Sequence, residues 1–255
     1  MNSSTRAFAF CPDRYTRLPS DVERFDDGRA CVVQGTVWAA VSAVRAEPAE
    51  VEELVETVRS LVPAEKHTVW WIDPDARPTD LHERLVALGF AAPEDTVAEL
   101  VALACTGEPP AGPPDVDVRL VESLDDFRTA QELSWRAFET PPARRQTDEQ
   151  LRTEFEAARD AGVPATFLAF VDGRPAGTAR SVYSDRGVFL IGGAVEEWAR
   201  GRGSYRSLVR ARWDDALLRG TPALVTEANP ATSYPILKRL GFVDVGPMRR
   251  LEDPR

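Results

Sequence analysis

The sequence predicts an α/β fold, a mixed central sheet flanked by helices and built as two similar halves. Strand-like apolar runs alternate with segments of helical apolar spacing along all 255 residues. Residues 107–115, GEPPAGPPD, hold four prolines and two glycines with no apolar run, the composition of a linker. The stretch LHERLVALGF (81–90) is echoed by ILKRLGF (236–242). The expected organisation is therefore a first lobe over residues 1–106, a linker over 107–115 and a second lobe over 116–255.

Taken in order, residues 1–29 are polar and turn-rich and read as a strand or an irregular lead-in. Ala30–Gln34 and Val37–Val44 read as strands joined by a turn at Gly35. Residues 49–62 place Val51, Leu54, Val55, Val58, Leu61 and Val62 on one helical face. His67–Ile72 is a buried-type strand, Thr79 or Asp80 can cap a helix over Leu81–Leu88, and Thr96–Cys105 is a further strand. The second lobe opens with strand Val116–Val121, helices Leu124–Phe138 and Asp148–Asp160, and strand Thr166–Val171. A hairpin at Asp172-Gly173 leads to strand Pro175–Tyr183, followed by strand Val188–Val195 and helix Tyr205–Arg219. Strand Ala223–Glu227, helix Thr232–Leu240 and strand Val243–Leu251 complete the chain.

The most informative stretch is Arg200-Gly201-Arg202-Gly203-Ser204-Tyr205, between the apolar run ending at Val195 and the helix that follows. A strand that turns on two glycines into a helix aims unpaired N–H groups and a helix dipole outward. With Arg200, Arg202 and Arg206 beside it, a phosphate or pyrophosphate suits the turn. An ordinary turn in an arginine-rich protein is the alternative. A Walker A loop is excluded, because the only lysines precede His67 and Arg239. A dinucleotide fingerprint is disfavoured by Arg206, where its third glycine would stand.

The stretch resembles the acyl-CoA-binding signature of the GNAT superfamily of N-acetyltransferases, Arg/Gln-x-x-Gly-x-Gly/Ala. Arg200 and Gly203 match it, and Tyr205 replaces the final small residue. Val195, five residues upstream, stands like the end of the family's splayed strand, and Pro235–Phe242 resembles its late helix with the Leu-Gly-Phe ending. The resemblance covers about residues 116–252, and the repeated string extends it to two tandem acyl-CoA N-acyltransferase-like lobes.

The resemblance implies acetyl-CoA as co-substrate and a small-molecule amine or peptide as acceptor. It implies that Ala194, Val195 and the N–H groups of Gly201, Arg202, Gly203, Ser204 and Tyr205 position the donor, with the N–H of Val195 as oxyanion donor. Asn229 and Ser233 would hold the pantetheine arm, or serve only as turn and cap. The family's late-helix tyrosine falls at Leu237, so Tyr234, three residues earlier, is the substitute acid. Glu227 is the candidate base, Glu196 and Glu197 being further carboxylates near Val195, and all three could instead be surface charges. Tyr205 is expected to pack with Leu208 and Val209. Gly203→Glu is expected to abolish acyl-CoA binding while leaving the fold intact. The first lobe has Arg45-Ala46-Glu47-Pro48-Ala49-Glu50 where the second has its glycines, so it is expected to bind no acyl-CoA.

Composition narrows the rest. Net charge is −10, with ten basic and nineteen acidic residues in 1–114 against 21 and 22 in 115–255. An acidic half opposes nucleic acid and accommodates a cationic amine, though a solvated acidic surface explains it equally. Two histidines leave little material for a zinc site or a histidine-based triad, so no metal is expected. Cys11, Cys31 and Cys105 read as free buried thiols. No apolar run reaches membrane length and the N-terminus lacks a signal-peptide core, so a cytoplasmic protein off the membrane is expected, its arginine bias suggesting a bacterial source. The rival readings are an acyl-CoA-binding sensor without turnover and a ligand-free partner-binding protein.

Overall fold

The computed structural model describes residues 2–93 and 97–255, and Thr96 of the expected strand lies outside them. Helix α1 (Ser3–Phe10) precedes strands β1 (Glu23–Asp26), β2 (Cys31–Gln34) and β3 (Trp38–Ser42). Helix α2 (Val51–Leu61), β4 (His67–Ile72), α3 (Leu81–Ala87) and β5 (Glu99–Cys105) complete the first half. The second half runs β6 (Val116–Leu120), α4 (Leu124–Ala137), α5 (Asp148–Ala161), β7 (Ala165–Val171), β8 (Arg174–Ser184) and β9 (Gly187–Val195). It ends with α6 (Ser204–Leu218), β10 (Leu224–Ala228), α7 (Ser233–Arg239) and β11 (Val243–Glu252). The predicted α/β class is the one observed.

The lead-in departs from expectation, because residues 3–10 form a helix. Asn2 caps it, its side chain accepting from the Thr5 N–H at 2.8 Å. Eight residues cannot hold a helix alone in water. Burial holds this one: Phe8 and Ala9 pack on Ala104 and Val225, where the two halves of the sheet meet.

All eleven strands described form one sheet, ordered β1-β2-β3-β4-β11-β5-β10-β9-β8-β7-β6. Pairs β3–β4 and β9–β10 are parallel, each joined by a crossover through a helix, and the other pairs are antiparallel. The halves trade their last strands. β5, from the first half, lies beside β10, while β11, from the second, lies beside β4. α3 and α7 precede these traded strands and end alike. Gly89 and Gly241 adopt φ of +93° and +94°, and the N–H of Phe90 and Phe242 bonds the carbonyls of Leu85 and Leu237. The echoed strings thus occupy matching places.

Trp70, Leu54, Val58 and Leu85 centre the core of the first half, and Val209, Trp213, Leu190 and Phe242 that of the second. Residues 107–115 are a packed strap. Pro113 lies against Gly203, Gly112 against Ser207, and Arg210 bonds the Pro109 carbonyl at 3.3 Å and pairs with Glu108. Cys11, Cys31 and Cys105 are free and buried. Among the described residues no helix is long and apolar enough to cross a membrane.

Candidate active site

β9 and β10 are hydrogen-bonded only where Leu224 meets Val188 and Val225 meets Phe189. The Thr226 hydroxyl then donates to the Leu190 carbonyl at 2.9 Å, and beyond it the strands part. β9 stays on β8 as far as Val195, and β10 stays on β5 as far as Ala228, so a gap opens inside a continuous sheet. The N–H of Glu196 bonds Ala176 on the β8 side, and by strand alternation the N–H of Val195 faces the gap. A register shift in β8–β9, with Gly192 at φ +60°, bends β9 there.

From Val195 the chain makes a short 3₁₀ turn and reaches α6 through Gly201 (φ +76°) and Gly203 (φ +82°). No side chain caps the first turn of α6, whose N–H groups point out of the helix end. Arg202 is committed to Asp172 at 2.9 Å, whereas Arg200 and Arg206 are exposed and have no ion-pair partner among the described residues. The turn therefore combines two exposed cations with an open helix N-terminus.

No family model matches the sequence, and a comparison with curated proteins finds no match. Solved structures do match. A GCN5-related N-acetyltransferase from Kribbella flavida superposes with TM-score 0.67 at 20% identity, covering 100% of this chain and 97% of its own. One from Sphaerobacter thermophilus gives 0.58 at 20%, over 89% and 80% of the two chains. A tandem GNAT protein from the clavulanic acid biosynthesis pathway gives 0.58 at 14%, over 98% and 93%. The chain has the GNAT fold. That tandem protein matches along both halves, as the doubled architecture requires.

In this GNAT fold the sequence-selected residues lie on β9, on β10 and on the turns and helices that follow these strands, in unequal states. Ala194 is buried in β9, and Ser204 is buried at the head of α6. The Tyr205 ring turns inward beneath Gly193, where an added Cβ would come within 2.9 Å of it. It packs with Val209's cluster, whereas Leu208 belongs to the cluster on β7 and β8. Burial pushes the phenol up, and the nearby buried Arg212 guanidinium opposes the shift.

Asn229 and Ser233 are engaged in the turn before α7. The Asn229 N–H donates to Ser233 Oγ at 3.0 Å, and the Ala231 N–H donates to Asn229 Oδ1 at 2.8 Å. Tyr234 donates its hydroxyl to Asp244 at 3.0 Å, and Leu237 is buried in the core. Gly203 corrects one expectation. A Cβ there would meet Pro113 at 2.7 Å on a left-handed backbone, so Gly203→Glu strains the fold itself and does not isolate ligand binding.

Glu227 extends from β10 on the face opposite α6, alternating with Thr226 and Ala228. Burial pushes its carboxyl up to about 8, Asp13 reinforces the shift, and Arg250 opposes it. Asp13, from the first half, is itself pushed up to about 6 by burial. Sequence reasoning missed Asp13, which lies 214 positions away in a short 3₁₀ turn (Pro12–Arg14) and carries no motif. Glu196 is taken by Arg136 at 2.7 Å, and Glu197 is exposed.

On the same face as Glu227 a cavity of about 660 Å³ opens between the halves. Its walls are residues 13–22 and the β2–β3 turn on one side, and α5 with β8 and β9 on the other. The first half has no such gap. Its parallel pair β3–β4 is closed by the Arg77 strand segment, which bonds Val44 and Ala46, and by the Arg45–Asp73 ion pair at 3.0 Å. The Glu50 carboxylate occupies the Glu47 N–H, placing a negative charge where the second half has its arginines.

Proposed function

We propose that the chain is an N-acetyltransferase that moves the acetyl group of acetyl-CoA to a primary amine of a small molecule or peptide. The parting of β9 from β10 beside the glycine turn of α6 carries this reading. The residues present suit a CoA ester: an open helix N-terminus, two glycines at positive φ, and the exposed cations Arg200 and Arg206. We also propose that residues 116–255 carry the donor site, and that residues 1–106 shape the acceptor side.

In this reading the Val195 N–H donates to the oxygen that gains charge as the amine nitrogen attacks the thioester carbonyl. The C–N bond forms, the C–S bond breaks, and the Glu227 carboxylate takes the amine proton. A carboxyl poised near 8 is strong enough as a base to accept that proton at neutral to mildly alkaline pH. Tyr234 is the candidate acid for the thiolate, which also leaves acceptably without one.

One observation favours a second reading, an acyl-CoA-binding protein without turnover. Leu237 fills the core where the family carries its tyrosine, and Tyr234 is held by Asp244. Thermal melting with acetyl-CoA, free CoA and ADP tests donor binding, since a ligand at ~100 times its dissociation constant adds about 2.7 kcal/mol. CoA release with a panel of amines then separates the readings. A melting shift with no release supports the sensor, and no shift at millimolar ligand refutes both.

A further inference from the structure

The cavity between the halves has a chemistry more specific than "amine". Its lining is apolar in part, with Val182, Phe189 and Ile191 from the second half and Leu18, Val22 and Trp38 from the first. The rest is acidic in balance. Asp13, Asp21, Glu149 and Glu154 line it against Arg17 and Arg180. Arg180 is already neutralised by Glu154 at 2.6 Å, and Glu154 also accepts from Gln146. Asp21 is left over: its Oδ1 is buried with no hydrogen-bond partner among the described residues. A buried carboxylate oxygen without a donor costs free energy that a bound donor recovers.

We infer that the acceptor is a diamine with an apolar skeleton, its reacting amine near Asp13 and Glu227 and its second ammonium on Asp21. This rests on the acyl-transfer reading above. Asp13 lines the cavity, and Glu227, on β10 on the same face of the sheet, is within electrostatic reach of it, so Asp13 marks the reacting end. Asp21, which lines the cavity within electrostatic reach of Glu154 and Arg180, marks a second acidic position. A carboxylate or phosphate there would meet Asp21 and Glu149, and the Arg180 guanidinium, although its Nε has no partner among the described residues, is already charge-paired with Glu154. A hydrophobic monoamine would leave Asp21 unpaired, and a fully hydrophilic polycation would waste the apolar lining.

The test uses the full chain and three probes with one carbon skeleton: 1,6-diaminohexane, hexylamine and 6-aminohexanoate. CoA release is measured with each, and diamine binding is measured separately by calorimetry, for the wild type and Asp21→Asn. The expected result is a kcat/KM for the diamine about tenfold above that for hexylamine, with 6-aminohexanoate unused. In Asp21→Asn the diamine-to-monoamine ratio should fall to about one, a ratio that cancels any general loss of folded enzyme.

Equal use of diamine and monoamine by the wild type overturns the inference, as does a preference that survives Asp21→Asn. Diamine binding that depends on Asp21 without CoA release upholds the diamine site and overturns the acyl-transfer reading alone. Neither binding nor release overturns both.

Discussion

Glu227 is the residue on which most of the chemistry turns, and its carboxyl makes two predictions with definite signs. Its folded value, about 8, lies above the ordinary 4.5, so the stability it contributes is full below about 4.5 and is lost as pH rises through about 8. Glu227→Gln keeps the neutral form at every pH. The variant should melt with the wild type at pH 5 and at least about 2 °C above it at pH 8.5. Equal melting at both pH values would remove the buried-carboxyl account. In turnover, kcat/KM of the wild type should rise with a limb near pH 8 that Glu227→Gln lacks, at a rate lowered about 10²-fold or more. An unchanged limb would assign the base elsewhere. The candidacy of Glu227 was legible because it ends the expected strand Ala223–Glu227, which borders the expected cleft. Its partner Asp13 was not, because only the folded chain brings residues 13 and 227 together.

The segment from β9 through the glycine turn to α6 belongs to the scale of elements. Local physics dictates most of it: an apolar run, two glycines at positive φ and a helix without a cap. Because Arg200 and Arg206 are exposed and have no ion-pair partner among the described residues, charge reversal at either tests the turn without touching the core. Arg206→Glu should weaken acetyl-CoA binding by about tenfold or more while leaving the melting temperature of the free protein within about 2 °C. Unchanged affinity would remove the turn from the donor site.

Thr226 marks where the strands part, and its buried hydroxyl bonds the Leu190 carbonyl. Thr226→Val should cost about 1 kcal/mol in denaturant unfolding, and no loss would show the bond to be without weight. α1 shows the opposite limit of local reasoning. Asn2 was a readable cap, but the helix persists because Phe8 and Phe10 are buried by strands distant in sequence.

For the whole molecule the decisive feature is the trade of β5 and β11. With β5 gone, β10 would lose the partner it has along its full length, from Leu224–Cys105 to Ala228–Val101. Residues 116–255 expressed alone should therefore aggregate or remain unfolded, and co-expression with residues 1–115 should restore a soluble complex. A stable, monomeric 116–255 fragment would show that the trade is dispensable. The charge imbalance also acts at this scale, since the more acidic first half supplies Asp13 and Asp21 to a cavity whose other wall belongs to the second.

The sequence by itself determined the α/β class, nearly every strand and helix, the glycine turn and the pairing of the two Leu-Gly-Phe strings. These follow from apolar period, chain-reversing residues and capping, all of which act within a dozen positions. Only the tertiary structure decided the traded strands, the closed β3–β4 pair of the first half, the inward turn of Tyr205 and the meeting of Asp13 with Glu227. Each depends on which distant segment wins a hydrogen-bonding edge or a buried face, and that competition is settled by packing across the whole sheet.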